Sequence, residues 1–242
     1  MKEGKTRRRA VSRTVVVGGV LISAAAIALI TPWLGVFGLR QISVSGNRRV
    51  SAEAIGQAAN LDRSRSLLTI SLSTVSKRIA TLPWIKQVSA TRELPHTLNI
   101  RVVERAPVAW ITLPGDGGCL TVGEGGVIVT ANCEGQNSTF ELLGAAVSGD
   151  APGSRLVDGR AADLIDVLHV ASLSKINIER IDVSDPSSIV LGGASGLQIL
   201  LGSIDLYARR VKALAALSRS IDAGKYALID LRLEGEARLV TW

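Results

Sequence analysis

Only 2 cysteines, 2 histidines and 7 prolines occur among the 242 residues, and aromatic side chains make up 3% of the chain. Two sulfurs cannot frame a disulfide-dense fold, and alone they cannot close a zinc site. So few prolines also exclude a collagen-like chain. Intrinsic disorder is excluded by what is plentiful: 47% of the residues are hydrophobic and 20% charged, too apolar a mixture to stay unfolded. The length suits one large domain or two small ones. Net charge is +7, but it is concentrated. Six of the 28 basic residues and one of the 21 acidic residues precede position 40. Beyond that tail the chain is close to neutral, which argues against a nucleic-acid-binding body.

No charge interrupts residues 14–39, and within them 15–34 is a 20-residue apolar run. At about 1.5 Å per residue a helix of that length spans about 30 Å, the hydrocarbon thickness. A helix satisfies its own backbone groups, so lipid tolerates it. Trp33, at the far end, suits a water–lipid boundary. The preceding basic cluster (Lys2, Lys5, Arg7, Arg8, Arg9, Arg13) predicts a cytoplasmic N-terminus and an extracytoplasmic remainder. A cleaved signal peptide is the competing reading, since Ser23 and Ala24 to Ala26 are small. The apolar run is longer than a signal core and its small residues lie mid-run, so an uncleaved single-pass anchor is favoured.

The next stretch switches periodicity. Residues 41–44 read as a short strand ending at the turn signal Gly46-Asn47. Ser51 is an N-cap for a helix to Ala59, with Glu53 in its first turn. A second helix fits 73–81 and ends before Pro83. Alternating runs on either side of Pro95-His96 make a half-buried hairpin. The order is therefore β-α-α-β-β, two helices over a three-stranded sheet with an edge left available.

From Pro107 onward most segments alternate as strands: 108–113, 119–122, 127–130, 140–143, 178–183, 188–191, 197–201, 228–233 and 237–242. Two helical patterns interrupt them, at 161–173 and 206–221; the second places Arg209, Arg210 and Lys212 in water. The Gly-rich stretch 131–160 reads as a variable loop. The expected architecture is α+β: a single N-terminal transmembrane helix, the β-α-α-β-β module, and a mixed β-sheet domain with two helices. The expected divisions are 1–14, 15–37, 38–105 and 106–242.

Chemistry is hard to find. His96 sits at a turn and His169 in a helix, neither beside a recognisable nucleophile motif. Gly192 to Gly196 misses the nucleophile-elbow spacing, and the glycine clusters at 115–118 and 123–126 lack the Lys-Ser/Thr of a phosphate loop. No cofactor, metal, nucleic acid or small-molecule substrate is expected, and the chain reads as a non-enzyme. Cys119 and Cys133 flank the second cluster on the oxidising side of the membrane. They form either a structural disulfide, the preferred reading, or two free thiols.

Two stretches carry a family resemblance. The β-α-α-β-β order with VSGNRRVSAEAI and LPWIKQVSATRELPHTLNIRVVERAPVAW resembles the POTRA module of the FtsQ/DivIB family of bacterial cell-division proteins. The final ALIDLRLEGEARLVTW resembles that family's last two strands, with Asp230-Leu231-Arg232 in the penultimate one and Trp242 closing the last. The resemblance implies a divisome scaffold in the cell membrane, enriched at the septum. It implies binding of FtsB- and FtsL-like proteins and, through them, influence on the FtsW and FtsI septal synthases.

The last strand, if it lies at a sheet edge, can accept a partner strand. Trp242 and Arg232 are candidate anchors, with Leu233, Ala237 and Leu239 beside them. The competing readings are that Trp242 covers the core and that Arg232 pairs with Glu234 or Glu236. The resemblance further implies that the POTRA module helps recruitment. Gln87 and Arg92, taken as outward positions of its second strand, are weaker candidates there, against an ordinary solvated face. Two other functions are weighed. A POTRA-bearing translocation component requires a following barrel of many strands, and a secreted enzyme requires a catalytic cluster.

Overall fold

The structure is a computed structural model that describes Ser23 and residues 36–113, 118–133, 140–171, 173, 175–233 and 236–242. The expected basic tail lies outside the described residues, as does the expected span 15–37 apart from Ser23, Val36 and Phe37. Among the described residues no helix is long and apolar enough to cross a membrane.

The first sheet has three strands in the order β1-β3-β2, with β1 Gln41–Ser45, β2 Ile85–Glu93 and β3 Thr97–Glu104. Strand β1 runs parallel to β3, and β2 runs antiparallel to it. Helices α1 Ala52–Ala59 and α2 Leu72–Ile79 cover one face. Local chemistry explains the boundaries. The Ser51 hydroxyl accepts the Ala54 N–H at 3.1 Å, and Asn60 ends α1 in the left-handed region at φ 45°. Ser71 caps α2 in the same manner. Helix α2 begins one residue earlier than the periodicity predicts, because Ser71 rather than Leu72 supplies the cap. Gly46 turns the chain at φ +86° directly over β3, where a methyl group would overlap the Val102 carbonyl oxygen. The Glu104 carboxylate then accepts the N–H groups of Arg48, Arg49 and Val50 at 2.9–3.0 Å, tying that turn to the end of β3. Burial pushes this carboxyl upward, but the three donors prevail and hold it below its ordinary range. Ile55, Ile79, Ile85, Leu98 and Ile100 fill the module's own core.

The second sheet has nine strands in the order β12-β11-β10-β9-β8-β7-β4-β5-β6. They are β4 Pro107–Thr112, β5 Cys119–Gly123, β6 Val127–Thr130, β7 Phe140–Leu143, β8 Ile178–Asp182, β9 Ile189–Gly193, β10 Gln198–Gly202, β11 Tyr226–Asp230 and β12 Arg238–Thr241. The sheet is mixed: β4 with β7, β7 with β8 and β10 with β11 are parallel. Helices α3 Gly159–Val170 and α4 Tyr207–Ser220 touch each other and the sheet. Leu164, Ile165, Leu168, Val211 and Leu214 join its buried side chains in a second core that shares no residue with the first.

The stretch expected as a loop is more regular than its composition suggests. After β7 the chain doubles back, with Val157 N–H bonding to Ala146 O at 2.9 Å and Ser148 N–H to Arg155 O at 2.8 Å. This arm lies along the outer margin of β6. Ile128 N–H reaches Ser154 O at 2.8 Å and Leu156 N–H reaches Gly126 O at 2.9 Å. Gly126, at φ +67°, makes the approach feasible, since a Cβ there would sit 2.6 Å from Ala162 Cβ. One margin of the nine-stranded sheet is therefore covered.

Candidate partner-binding edge and groove

The opposite margin is β12. It pairs antiparallel with β11 alone, Ile229 against Leu239 and Asp230 against Arg238. No described residue pairs with its outer side. A strand so placed presents a row of unpaired N–H and C=O groups. Leu239 packs half-buried on the core, while Arg238, Val240 and Thr241 are exposed. Trp242 follows the strand with 69% of its surface exposed, so it does not cover the core. Its ring edge lies over the turn between β9 and β10, 3.3 Å from where a Gly196 Cβ would stand.

Strand β11 ends at Asp230, short of the predicted 228–233, so Arg232 and Leu233 are not strand residues. The cause is local. Asp230 is 8% exposed, and its carboxylate accepts the Arg232 N–H at 2.9 Å, Nε at 2.9 Å and Nη2 at 2.8 Å. Those bonds bend the chain out of the ladder. The Arg232 guanidinium prevails over burial and holds the Asp230 carboxyl below its ordinary range. Arg232 thus pairs within its own Asp-Leu-Arg motif, rather than with the expected glutamates, of which Glu234 lies outside the described residues. Half of its side chain stays in solvent.

Arg210 corrects a second expectation. It reaches from α4 to the carbonyls of Leu201 and of Arg232, the latter at 3.4 Å. Gly202, at φ +70°, leaves the space, since a Cβ there would lie 2.6 Å from Arg210 Nη1. Arg210 therefore braces the segment leading to β12 instead of standing in water. Between α4 and that segment lies a groove of about 470 Å³, lined by Leu206, Ala213, Leu217, Leu231 and Leu233 together with the charged Arg209, Arg232 and Glu236. Leu206 and Leu233 are exposed. Ala237 belongs both to the groove and to the approach to β12, so groove and edge form one continuous surface. The helical stripe of α4 was visible in the sequence, but nothing local announced the groove.

The POTRA-like module places its two candidates on opposite faces. Gln87 stands opposite the exposed Val103, on the open face. Arg92 stands opposite the fully buried Leu98 and so faces the helices. Its Nε donates to Leu67 O at 2.8 Å and its Nη2 to Ile70 O at 2.6 Å, binding the loop between the helices. Arg92 therefore lies on the helix side of the sheet rather than on its open face, and it remains exposed to solvent there. The odd spacing of Gln87 and Arg92 already separates them in a pleated strand.

Cys119 and Cys133 are joined in a disulfide with their Cα atoms 5.4 Å apart. Labelling the oxidised protein under non-reducing conditions is expected to modify no cysteine; two labelled thiols contradict the bond. His96 Nδ1 lies 3.4 Å from Gly38 O, and His169 is exposed on α3. Among the described residues no three His, Cys, Asp or Glu gather as metal ligands do.

Comparison with known proteins agrees with this geometry. The sequence profile of the POTRA domain, FtsQ-type, matches residues 37–105. A cell division protein FtsQ from Geobacter sp. strain M21 is 37% identical over 106 residues, covering 43% of this chain and 37% of that protein. DivIB from Clostridium acetobutylicum is 27% identical over 150 residues, 61% of this chain and 59% of its own length. These two matches thus take in less than two thirds of the relatives. FtsQ from Streptomyces bingchenggensis is 29% identical over 225 residues, 88% of this chain and 82% of its own. With the domain match at the front and a relative aligned over most of its length, the chain carries an FtsQ-type POTRA domain and is similar to the FtsQ and DivIB cell-division proteins.

Proposed function

We propose that this protein is a non-enzymatic, single-pass membrane scaffold of the division machinery that captures a partner by strand addition. One observation carries the reading: β12 is an open margin continuous with a groove of apolar side chains bordered by charged ones, while the other margin of the same sheet is covered. Main-chain bonds along β12 supply affinity, and side-chain pockets beside it supply specificity. The partner's chemistry follows. It offers one extended segment to β12 and an apolar element, such as one face of a helix, to the groove. FtsB- and FtsL-like proteins are the partners the family resemblance suggests, with FtsW and FtsI influenced through them at the septum. The apolar run 15–34 and the basic tail set the chain as a type II membrane protein, so the search for partners takes place in two dimensions. An assembly component of barrel type is less well supported, because the end strands β12 and β6 of the nine-stranded sheet do not pair with each other and the sheet does not close on itself.

A photo-crosslinking side chain at Val240 of the full-length protein tests this in membranes containing the FtsB-like protein of the same cell. The expected product is an adduct identified as that protein. The same probe at Val157, beside the covered margin, should give none. Equal adducts at both positions, or none at Val240, overturn the reading.

A further inference from the structure

The topology of the first module sorts its loops into two ends. Strand β1 starts at Gln41 and runs parallel to β3, which starts at Thr97, and β2 finishes at Glu93 on the same end. The loop between α1 and α2 returns to that end as well. Gly38 bridges to Ser66, Leu67 N–H bonds to Phe37 O at 2.6 Å, and Arg40 N–H bonds to His96 O at 3.0 Å. The incoming chain is thus clasped between loop 60–71 and turn 94–96. The other end carries Gly46, Trp84 and Glu104 and leads into the second sheet; there Arg105 N–H bonds to Trp84 O at 2.7 Å.

The clasped end is unusual in what it exposes. Val36, Leu68 at 46% and Leu94 at 55% are open to solvent, and they are interleaved with exposed Arg40, Arg63 and Arg65. Two carboxylates stand nearby, each already hydrogen-bonded: Asp62 to Ser64 and Arg65, and Glu93 to Asn99 at 2.7 Å. Arg40 and Arg63 have no ion-pair partner among the described residues. Apolar tips among cations are what a peripheral lipid contact requires.

The chain preceding this end says what covers it. The apolar run ends at Leu34, and the five residues to Leu39 reach at most about 18 Å. Headgroups occupy roughly 5–8 Å beyond the hydrocarbon on each side. We infer that the clasped end of the module rests on the outer surface of the membrane, with Leu68 and Leu94 entering the interface and Arg40 and Arg63 meeting anionic lipid headgroups. This inference rests on the anchor reading of residues 15–34. The clasp fixes the loops to the emerging chain, so the contact sets the tilt of everything that follows.

Spin labels test it on the full-length protein in vesicles of equal parts phosphatidylcholine and phosphatidylglycerol. With Cys119 and Cys133 bonded, single cysteines at positions 68, 94, 157 and 26 can be labelled one at a time. Labels at 68 and 94 are expected to collide with oxygen more than with a water-soluble nickel chelate, and the label at 157 the reverse. Arg40→Gln with Arg63→Gln should lower the immersed population at 94 roughly fivefold per charge removed. If 68 and 94 behave like 157 while 26 lies in lipid, the contact is wrong and the anchor stands. If 26 is also in water, both fall. Immersion at 94 that ignores the two arginine changes overturns the headgroup part.

Discussion

On the strand-capture reading, replacing Trp242 with alanine is expected to weaken binding of the proposed FtsB-like partner at least about thirtyfold and to leave the fold of the second sheet intact. A buried interfacial indole typically contributes roughly 2 kcal/mol or more. In the free protein this side chain stands mostly in water, so its removal opens no cavity. The strand before it is held by its ladder to β11 and by Leu239, neither of which involves the indole. Titration calorimetry with the partner's external segment reads the loss of affinity, and scanning calorimetry of the same variant reads an unmoved transition. Leu239→Ala is the useful contrast. That side chain packs on the core, so both readouts should fall together. Unaltered binding by the Trp242 variant, or a cooperative loss of folding, would return the indole to a structural role.

Gly46→Ala produces the converse pattern: a large loss of stability in the first module with strand capture retained. The position lies at φ +86°, where an L-residue costs about 1–2 kcal/mol. The added methyl meets a backbone carbonyl of β3 rather than a yielding side chain, adding roughly 1–3 kcal/mol. A total near 3 kcal/mol corresponds to a fall of roughly 15 °C for a unit of this size. The two cores share no residue, so the second sheet and its β12 margin should keep their own transition and their affinity. Scanning calorimetry should show one transition moving and one holding. Two transitions that move together contradict the separation of the cores.

What could be read from the sequence depended on how local its cause was. Ser51, Gly46, Pro83 and the Pro95 turn act within a few residues, so the β-α-α-β-β order followed from them. The second sheet's strands were legible as segments, but their order was not. Its parallel contacts join β4 to β7 and β10 to β11 across intervening elements, and alternation within a strand carries no record of such a neighbour. The same limit hid the groove, which needs α4 and the segment after Asp230 to be brought together. The partners of Arg210 and Arg92 are hidden for a related reason. A charged residue on an amphipathic element defaults to solvent, and only the fold reveals the backbone carbonyls that claim it. The Asp-Leu-Arg motif is legible as residues, but its pattern does not show that the strand stops at Asp230. Its aspartate instead gathers the arginine and turns the chain.

The arm over β6 limits assembly number. Among the described residues that flank is occupied and β12 is the one margin of the large sheet left for an added ribbon, an arrangement that disfavours end-on-end stacking of copies through this sheet. On the strand-capture reading proposed above, each copy takes one guest at this sheet, so guests bound are expected to scale one to one with copies present.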